Sequence, residues 1–524
     1  MMRPFVWCNR PLQDCANMPW QTVCICITNL VTIKRNDVVK MVSYATFSGN
    51  WTNPITSQYV GRLQTIMTKK PDAQSELLLS FYGDDFTGST DALESVTMAG
   101  IPSMLFLEPP EKEDLAAHPH LRAVGVAGTS RSRSPEWMDT DLAPILEKLK
   151  ALGAPLCHYK TCSTFDSSPR IGSIGKAIEI GQDIFGTCVP VVVGVTRLRR
   201  YVVFSTLFAA ASVAGESEAF RIDRHPTMSK HPATPMDEAD LRLHLARQTQ
   251  RKIGSFDFRR MLKTDAAHDF ALECAQNDLV ILDTFDEATT YKTGQLLFDH
   301  CRDHPAFVVG SSGVEYALAD YLTDTGRLPI APPPAPCGAV DRLIAICGSC
   351  SPTTDRQITW AEAHGFHVEA VDTVALIEQG AQAEQALVQR LVALTSDRPG
   401  VVLHTARGPK DPKIAETLAA LDRHGLQGAD SSAILGGSLG RVLHAVVKQT
   451  NLKRTVLAGG DSSSHAMSAM HVKALEVAGP LVVGAPLCRI HSEDEAINNL
   501  QVALKGGQVG GDDFFGRAMN GDAS

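Results

Sequence analysis

No stretch of the 524-residue chain holds the ~18 consecutive apolar residues that a membrane-crossing helix takes, so a bilayer span is not expected. Positive charge is in deficit. Lys and Arg number 49 against 58 Asp and Glu, a net charge of −9. A broad nucleic-acid surface needs clustered Lys and Arg, and that class of partner is excluded with it. The 13 cysteines follow no framework of spacings. Scattered thiols in a long chain suit a reducing compartment, which makes the cytoplasm the expected location. The one CxxC, Cys347 to Cys350, lacks the second pair that a zinc site would use, so free thiols are expected there. Two familiar nucleotide grips are also missing. There is no GxxxxGK[ST], since "GSIGK" at Gly172 to Lys176 has the wrong spacing and no hydroxyl, and no well-placed GxGxxG with an acid about twenty residues on.

What remains is an ordinary globular composition, 44% hydrophobic and 20% charged, on a chain too long for one core. Residues 1–74 stand apart. They hold Cys8, Cys15, Cys24 and Cys26, three of the five tryptophans, few acids and no clear period. They read as a poorly ordered extension, with a signal or transit peptide as the alternative and Met67 as a natural start. From Leu77 onward, apolar runs alternate with helical stretches. Strands are expected at Leu77 to Tyr82, Ile101 to Leu107, Leu121 to Gly128, Val189 to Val195, Asn277 to Asp286 and Pro305 to Gly313, with a helix near Asp91 to Ala99. Five prolines between Pro329 and Pro336 make a stiff linker. The alternation then restarts at Arg342 to Ser349, Gly400 to Ala406, Arg454 to Gly460 and Leu481 to Cys488. The expected fold is therefore α/β: two mostly parallel-sheet domains, 75–328 and 341–518, joined by a Pro-rich linker at 329–340, with the active site in the interdomain cleft. The proline-rich, polar segment Arg221 to Leu245 reads as a loop folded over that cleft. Its two His-Pro pairs, at His225 and His231, invite a metal reading but lack a matching ligand set.

The chemistry-bearing residues fall where apolar runs end. In "LLLSFYGDDFTGSTDALE", Asp84, Asp85 and Asp91 follow a buried-strand pattern, and ligands in open α/β sheets bind at the carboxyl ends of strands. Ser130 and Arg131 follow another strand, Lys160 a third, and Ser311, Ser312 and Gly313 a fourth. Arg and Lys can bind a carboxylate, acids and serines can bind sugar hydroxyls, and one carboxylate can take the proton of an attacking hydroxyl. The acids also fit helix capping, which one of the three is expected to do. In the second domain, "CGSCSPTTDRQI" offers Ser349 and Ser351 before Pro352, "AGGDSSSHAM" offers Gly459, Gly460, Asp461 and Ser462, and "LKGGQVGGDDFF" offers Gly506 and Gly507. Free N–H groups at a helix start, glycines and hydroxyls suit phosphate oxygens, and an aspartate beside them can hold Mg²⁺. Any one of these turns alone reads equally well as a plain tight turn.

Together, "YGDDFTGSTDALE", "GSSG", "CGSCSPTTDRQI", "AGGDSSS" and "GAPLC", in that order, resemble the four-carbon acid sugar kinase family, from Leu77 to Phe515. The resemblance implies a sugar-acid-binding domain followed by a nucleotide-binding domain. It implies ATP-dependent phosphorylation of a terminal hydroxyl of a short sugar acid, with ATP and Mg²⁺ as cofactors. Asp84 and Asp85 would be catalytic, and Asp91, Ser130, Arg131, Lys160 and Ser312 would face the substrate. Ser349, Ser351, Gly459, Gly460, Asp461, Ser462, Gly506 and Gly507 would bind ATP, with Asp461 also the candidate metal ligand. The small-molecule acid and ATP are the expected partners, and a homodimer the candidate assembly.

One loop departs from the family pattern. In "YKTCSTFDSSPRIGSIG", threonate and oxo-tetronate kinases usually carry an aspartate where Cys162 stands and an arginine where Asp166 stands, whereas Lys160, Ser163 and Thr164 match. That change points to a related but different acid, with 3-oxo-isoapionate preferred and a linear 3-oxo-tetronate next; threonate or erythronate is the alternative. In-line transfer is expected, with Asp84 or Asp85 as base and domain closure excluding water. A non-catalytic sugar-acid sensor and an NAD-linked dehydrogenase are the competing classes.

Overall fold

The computed structural model describes residues 77–213, 216–231, 234–328, 332, 334–428 and 431–522. The expectations for residues 1–74, the start at Met67 and part of the proline linker lie outside them. The first half carries β1 (Leu79–Gly83), β2 (Ser103–Phe106), β3 (Ala123–Ala127), β4 (Leu156–Lys160), β5 (Val189–Val192), β6 (Arg200–Val203), β7 (Thr206–Val213), β8 (Glu216–Arg221), β9 (Ile253–Phe256), β10 (Leu279–Leu282) and β11 (Ala306–Gly310). The second carries β12 (Leu343–Cys347), β13 (His367–Ala370), β14 (Gly400–His404), β15 (Arg454–Ala458), β16 (Ala474–Val482), β17 (Ala485–His491) and β18 (Gln501–Lys505).

Fifteen of these strands make one sheet, in the order β13-β14-β12-β15-β18-β17-β16-β2-β3-β1-β4-β11-β5-β10-β9. Its flanks are parallel and helix-covered, which is why β1, β4, β11 and β12 are buried along their whole length and read as unbroken apolar runs. Each half has the expected mostly parallel sheet. The two sheets then run into one another where β2 pairs antiparallel with β16, Phe106 opposite Ala474 and Leu105 opposite Leu475. The Leu107 N–H donates to the Lys473 carbonyl (3.1 Å) beside that seam, and Gly484 N–H donates to Glu94 (2.6 Å) from across it.

Three local expectations change. The helix predicted near Asp91 spans Phe86–Met98, because Asp85 caps it with a carboxylate that accepts the Gly88 N–H; Gly100, with φ of +81°, closes its other end. "LVVGAPLC" is no single strand. It is the turn of the β16–β17 hairpin, with Gly484 at φ +81° and Val483 exposed, and both arms are apolar because both are covered. The stretch preceding and entering Arg221–Leu245 forms the small antiparallel sheet β6-β7-β8, and the helix in that segment starts at Leu241.

The two His-Pro pairs serve the loop itself. His225 Nδ1 accepts the N–H groups of Thr227 and Met228 (both 3.2 Å), and His231 Nδ1 accepts that of Thr234 (3.2 Å). Among the described residues no three metal-ligating side chains gather. Cys347 is buried in β12 while Cys350 is exposed. No helix among the described residues is long and apolar enough to cross a membrane.

Candidate active site

In the first half, four neighbouring strands end in register. Gly83 of β1 lies beside Ala127 of β3 and Lys160 of β4, and Lys160 beside Gly310 of β11. The residues that follow these ends are the predicted substrate set. Asp84 is 4% exposed, its N–H donates to the Lys160 carbonyl (2.9 Å), and its Oδ1 is buried with no hydrogen-bond partner. Burial, reinforced by the neighbouring Asp85 charge, pushes its pKa up to about 7. Asp85 goes the other way. Burial works to raise it too, but Arg131, the Gly88 N–H and Lys160 outweigh that and hold it below the usual carboxylate range.

Arg131 bridges two acids. Its Nη1 lies 2.7 Å from Asp85 Oδ2, and its Nη2 donates to both oxygens of Asp166 (3.0 and 2.8 Å). Asp166 also accepts from the hydroxyls of Thr164 (2.6 Å) and Thr234 (3.0 Å), so the 221–245 segment does reach the site. Asp166 thus anchors Arg131. Lys160, 2% exposed, pairs with Asp91 at 3.1 Å, while the second oxygen of Asp91 and the buried hydroxyl of Ser312 have no partner. Ser130 is the exception in the predicted set. It is fully buried and its hydroxyl is engaged by Tyr159 at 2.8 Å, so it braces the wall behind Arg131.

In the second half, β12, β15 and β18 lie side by side with Cys347 opposite Ala458 and Ala458 opposite Lys505. A glycine follows each end: Gly348, Gly459 and Gly506. Helices start at Pro352 and Gly460, so the positive ends of two helix dipoles meet the same rim. Backbone and hydroxyls interlock there. A Cβ on Gly348 or on Gly459 would collide with Ser462 Oγ, and one on Gly507 would sit 2.8 Å from Ser349 Oγ. Ser351 caps the helix Pro352–Ala363 by accepting the Thr354 N–H (3.1 Å) and donates to the Gly507 carbonyl. Gln357 Nε2 then clamps the glycine turn, donating to the carbonyls of Val509, Gly510 and Gly511 (3.0, 3.3 and 3.0 Å). Asp461 lies in the first turn of its helix; its side chain is outside the described residues.

The two clusters meet at the glycine turn. A Cβ on Gly506 would lie 3.8 Å from Thr87 Oγ1, in the first turn of the helix that Asp85 caps. Sequence reasoning missed three features. An open recess, lined by Gly348, Thr405, Ile414, Leu418, Leu435 and Ser462 among others, adjoins the glycine rim, and it spans elements too far apart in sequence to be read together. Arg200, at the start of β6, keeps a buried Nε with no partner, within electrostatic reach of Cys162 and Asp91. Lys505, fully buried at the end of β18, reads in sequence as the tail of an apolar strand.

Comparison with known proteins follows this division into halves. Residues 79–318 match a sugar-binding N-terminal domain, and residues 344–515 match a nucleotide-binding C-terminal domain. The chain is 44% identical over 450 residues to the 3-oxo-isoapionate kinase of Paraburkholderia graminis, covering 85% of this chain and 94% of that protein. It is 27% identical over 451 residues to the 3-oxo-tetronate kinase of Pseudomonas fluorescens, covering 84% and 96%. A Salmonella typhimurium structure described as a putative tRNA synthase superposes with a TM-score of 0.63 at 22% identity, covering 84% of this chain and 98% of that one, a likeness of fold alone. With both domains matched in order and a relative this similar over most of its length, the chain belongs to the four-carbon acid sugar kinase family.

Proposed function

We propose that the protein transfers the terminal phosphoryl group of ATP to a primary hydroxyl of a short sugar acid, and that the acid is 3-oxo-isoapionate. The observation that carries the reading is the proximity of the two clusters: the glycine turn after β18 lies so close to the helix turn that follows Asp84 and Asp85 that a Cβ on Gly506 would come within 3.8 Å of Thr87 Oγ1. Phosphoryl transfer needs donor and acceptor in line, and most of its catalysis is positioning and charge stabilisation. The choice of acid is supported by the 44% identity to a 3-oxo-isoapionate kinase, against 27% to a 3-oxo-tetronate kinase.

The roles follow from the pairing. Asp84 is the base: it has a free oxygen and a pKa of about 7, so near neutral pH it can take the hydroxyl proton as the oxygen attacks. Asp85 is a positioning residue, held by the helix and by Arg131. Arg131 and Lys160 already carry aspartate partners, so the substrate carboxylate goes to Arg200, whose buried Nε is unmatched and which stands within electrostatic reach of Asp91 and Cys162. Ser312 and the free oxygen of Asp91 take sugar hydroxyls. The rim of Gly348, Ser349, Ser351, Gly459, Gly460, Ser462, Gly506 and Gly507 cradles the phosphates, and the apolar recess beside it takes the adenine. Leu418, 45% exposed on its wall, gains cover when the base is seated.

Mg²⁺ fits this arrangement as a passenger of the nucleotide. It is usually held by substrate phosphates, waters and one or two carboxylates, and the described residues hold no preformed cage. When bound it supplies charge neutralisation at the phosphates.

The test is ADP release from Mg-ATP against D- and L-threonate, D-erythronate, both 3-oxo-tetronates and 3-oxo-isoapionate. Turnover of 3-oxo-isoapionate well above the others is expected. Equal or better turnover of threonate or a 3-oxo-tetronate would reassign the substrate. ATP binding without turnover of any acid would favour a sensor.

A further inference from the structure

Among the described residues two lysines, Lys160 and Lys505, close strands, and their surroundings differ. Lys160 closes β4 with Asp91 at 3.1 Å. Lys505 closes β18 with 0% exposure and no carboxylate in ion-pair range among the described residues. Its ammonium donates to Thr354 Oγ1 at 3.1 Å and stands 5.8 Å from the Phe514 ring centroid. An ammonium buried without a counter-charge is costly, and such groups either lose the proton or await an anion.

Thr354 shows where that anion would be. Its hydroxyl lies 3.3 Å from Ser349 Oγ, 3.1 Å from Ser351 Oγ and 3.4 Å from the Gly507 carbonyl, so the lysine backs a hydroxyl shared by two turns of the rim. The Lys505 carbonyl also accepts the Gly459 N–H at 3.0 Å, which ties its strand end to the second glycine turn. We infer that Lys505 is the phosphate-sensing cation of the nucleotide site, a positioning residue whose missing counter-charge is supplied by the phosphates of bound ATP and whose hydrogen bond sets Thr354 and Ser349 to receive them. The inference rests on the nucleotide assignment above. It also accounts for the missing GxxxxGK[ST]: the lysine comes from the neighbouring strand end instead of the phosphate loop.

The geometry has a pH consequence. Burial pushes the Lys505 pKa down to about 8 in the free protein. Phosphates arriving nearby raise it, so ATP binding and protonation of Lys505 favour each other. The ammonium is half populated near pH 8 and essentially fully charged a unit or more below it, and affinity declines as pH rises through that value, by up to tenfold per unit, until the pKa of the complex is reached. The titratable group acting on Lys505 from the adjoining strand is Cys347, which burial pushes up to about 12, so it stays neutral across this window. Thr354 and Phe514, the other neighbours named, carry no charge.

The experiment is calorimetric titration of Mg-ATP into the full chain and into Lys505→Met between pH 6.5 and 9.5, with 3-oxo-isoapionate titrated in parallel. The parent should lose ATP affinity above about pH 8. Lys505→Met should bind ATP at least tenfold more weakly at pH 7.5, lose that pH dependence and keep its affinity for the acid. Lys505→Arg, which keeps the charge, should restore part of the binding and shift the decline to higher pH. ATP affinity within twofold of the parent in Lys505→Met, or an unchanged pH dependence there, overturns the inference and leaves the kinase reading standing. A parent that binds no ATP at any pH overturns both. If the methionine variant does not fold, the parent decides: a flat ATP affinity from pH 7 to 9.5 overturns the inference.

Discussion

Burial acts on Asp84 and Asp85 alike, yet the two carboxylates end with opposite proton affinities, because Asp85 has Arg131 at 2.7 Å and a helix N–H while Asp84 has an orphaned oxygen. A base must be deprotonated to work, so kcat/KM should rise with pH and level off above an apparent pKa of about 7. Asp84→Asn should lower kcat by two to four orders of magnitude and abolish that limb. Retention of the limb would assign it elsewhere.

The same shift fixes a stability trend. The folded protein holds a proton on Asp84 that the unfolded chain releases near pH 4, so this group's contribution falls as pH rises from about 4 to 7 and is at its most unfavourable above 7. Asp84→Asn should therefore melt higher than the parent at pH 8, with less difference at pH 4. Asp85→Asn asks another question, since asparagine caps helices as well as aspartate does. Loss of turnover with helix stability kept would isolate the Arg131 ion pair.

At the scale of elements, the glycine turn after β18 is held by the helix Pro352–Ala363 through Ser351 and Gln357. Gln357→Ala frees three carbonyls and should raise KM for ATP several-fold while KM for the acid stays put; steady-state kinetics with each substrate varied checks it. A shift in both would mean that the turn also supports the acid.

These elements show what a sequence displays and what it hides. Strands covered on both faces, such as β1 and β12, appear as unbroken apolar runs, and the polar residues after them are plain to see. The β16–β17 hairpin hides because its two covered arms and a single turn glycine look like one such run. That Asp84, Lys160 and the glycine turns sit at strand ends is legible from position alone. Arg200 and Lys505 are not, because what distinguishes them is a partner they lack, and a missing partner is a property of packing. Which of the adjacent aspartates is free was hidden for the same reason: it depends on Arg131, 46 residues on from Asp85.

At the scale of the molecule, the seam between β2 and β16 joins the two halves through paired strands, with the Glu94–Gly484 hydrogen bond and the Lys473–Asp114 ion pair (2.5 Å) beside it. The described residues from Leu77 onward fall in one compact unit. Thermal unfolding of that region should be a single calorimetric transition. Two resolved transitions would mean that the seam couples the halves weakly.

That seam has a further consequence for chemistry done to the protein. If the backbone ladder fixes the spacing between the phosphate rim and Asp84, a single compound that tethers adenosine polyphosphate to a short hydroxy acid would meet two subsites already set at one distance. The linker length that fits would then be narrowly defined, and affinity plotted against linker length would show a sharp optimum instead of a broad plateau.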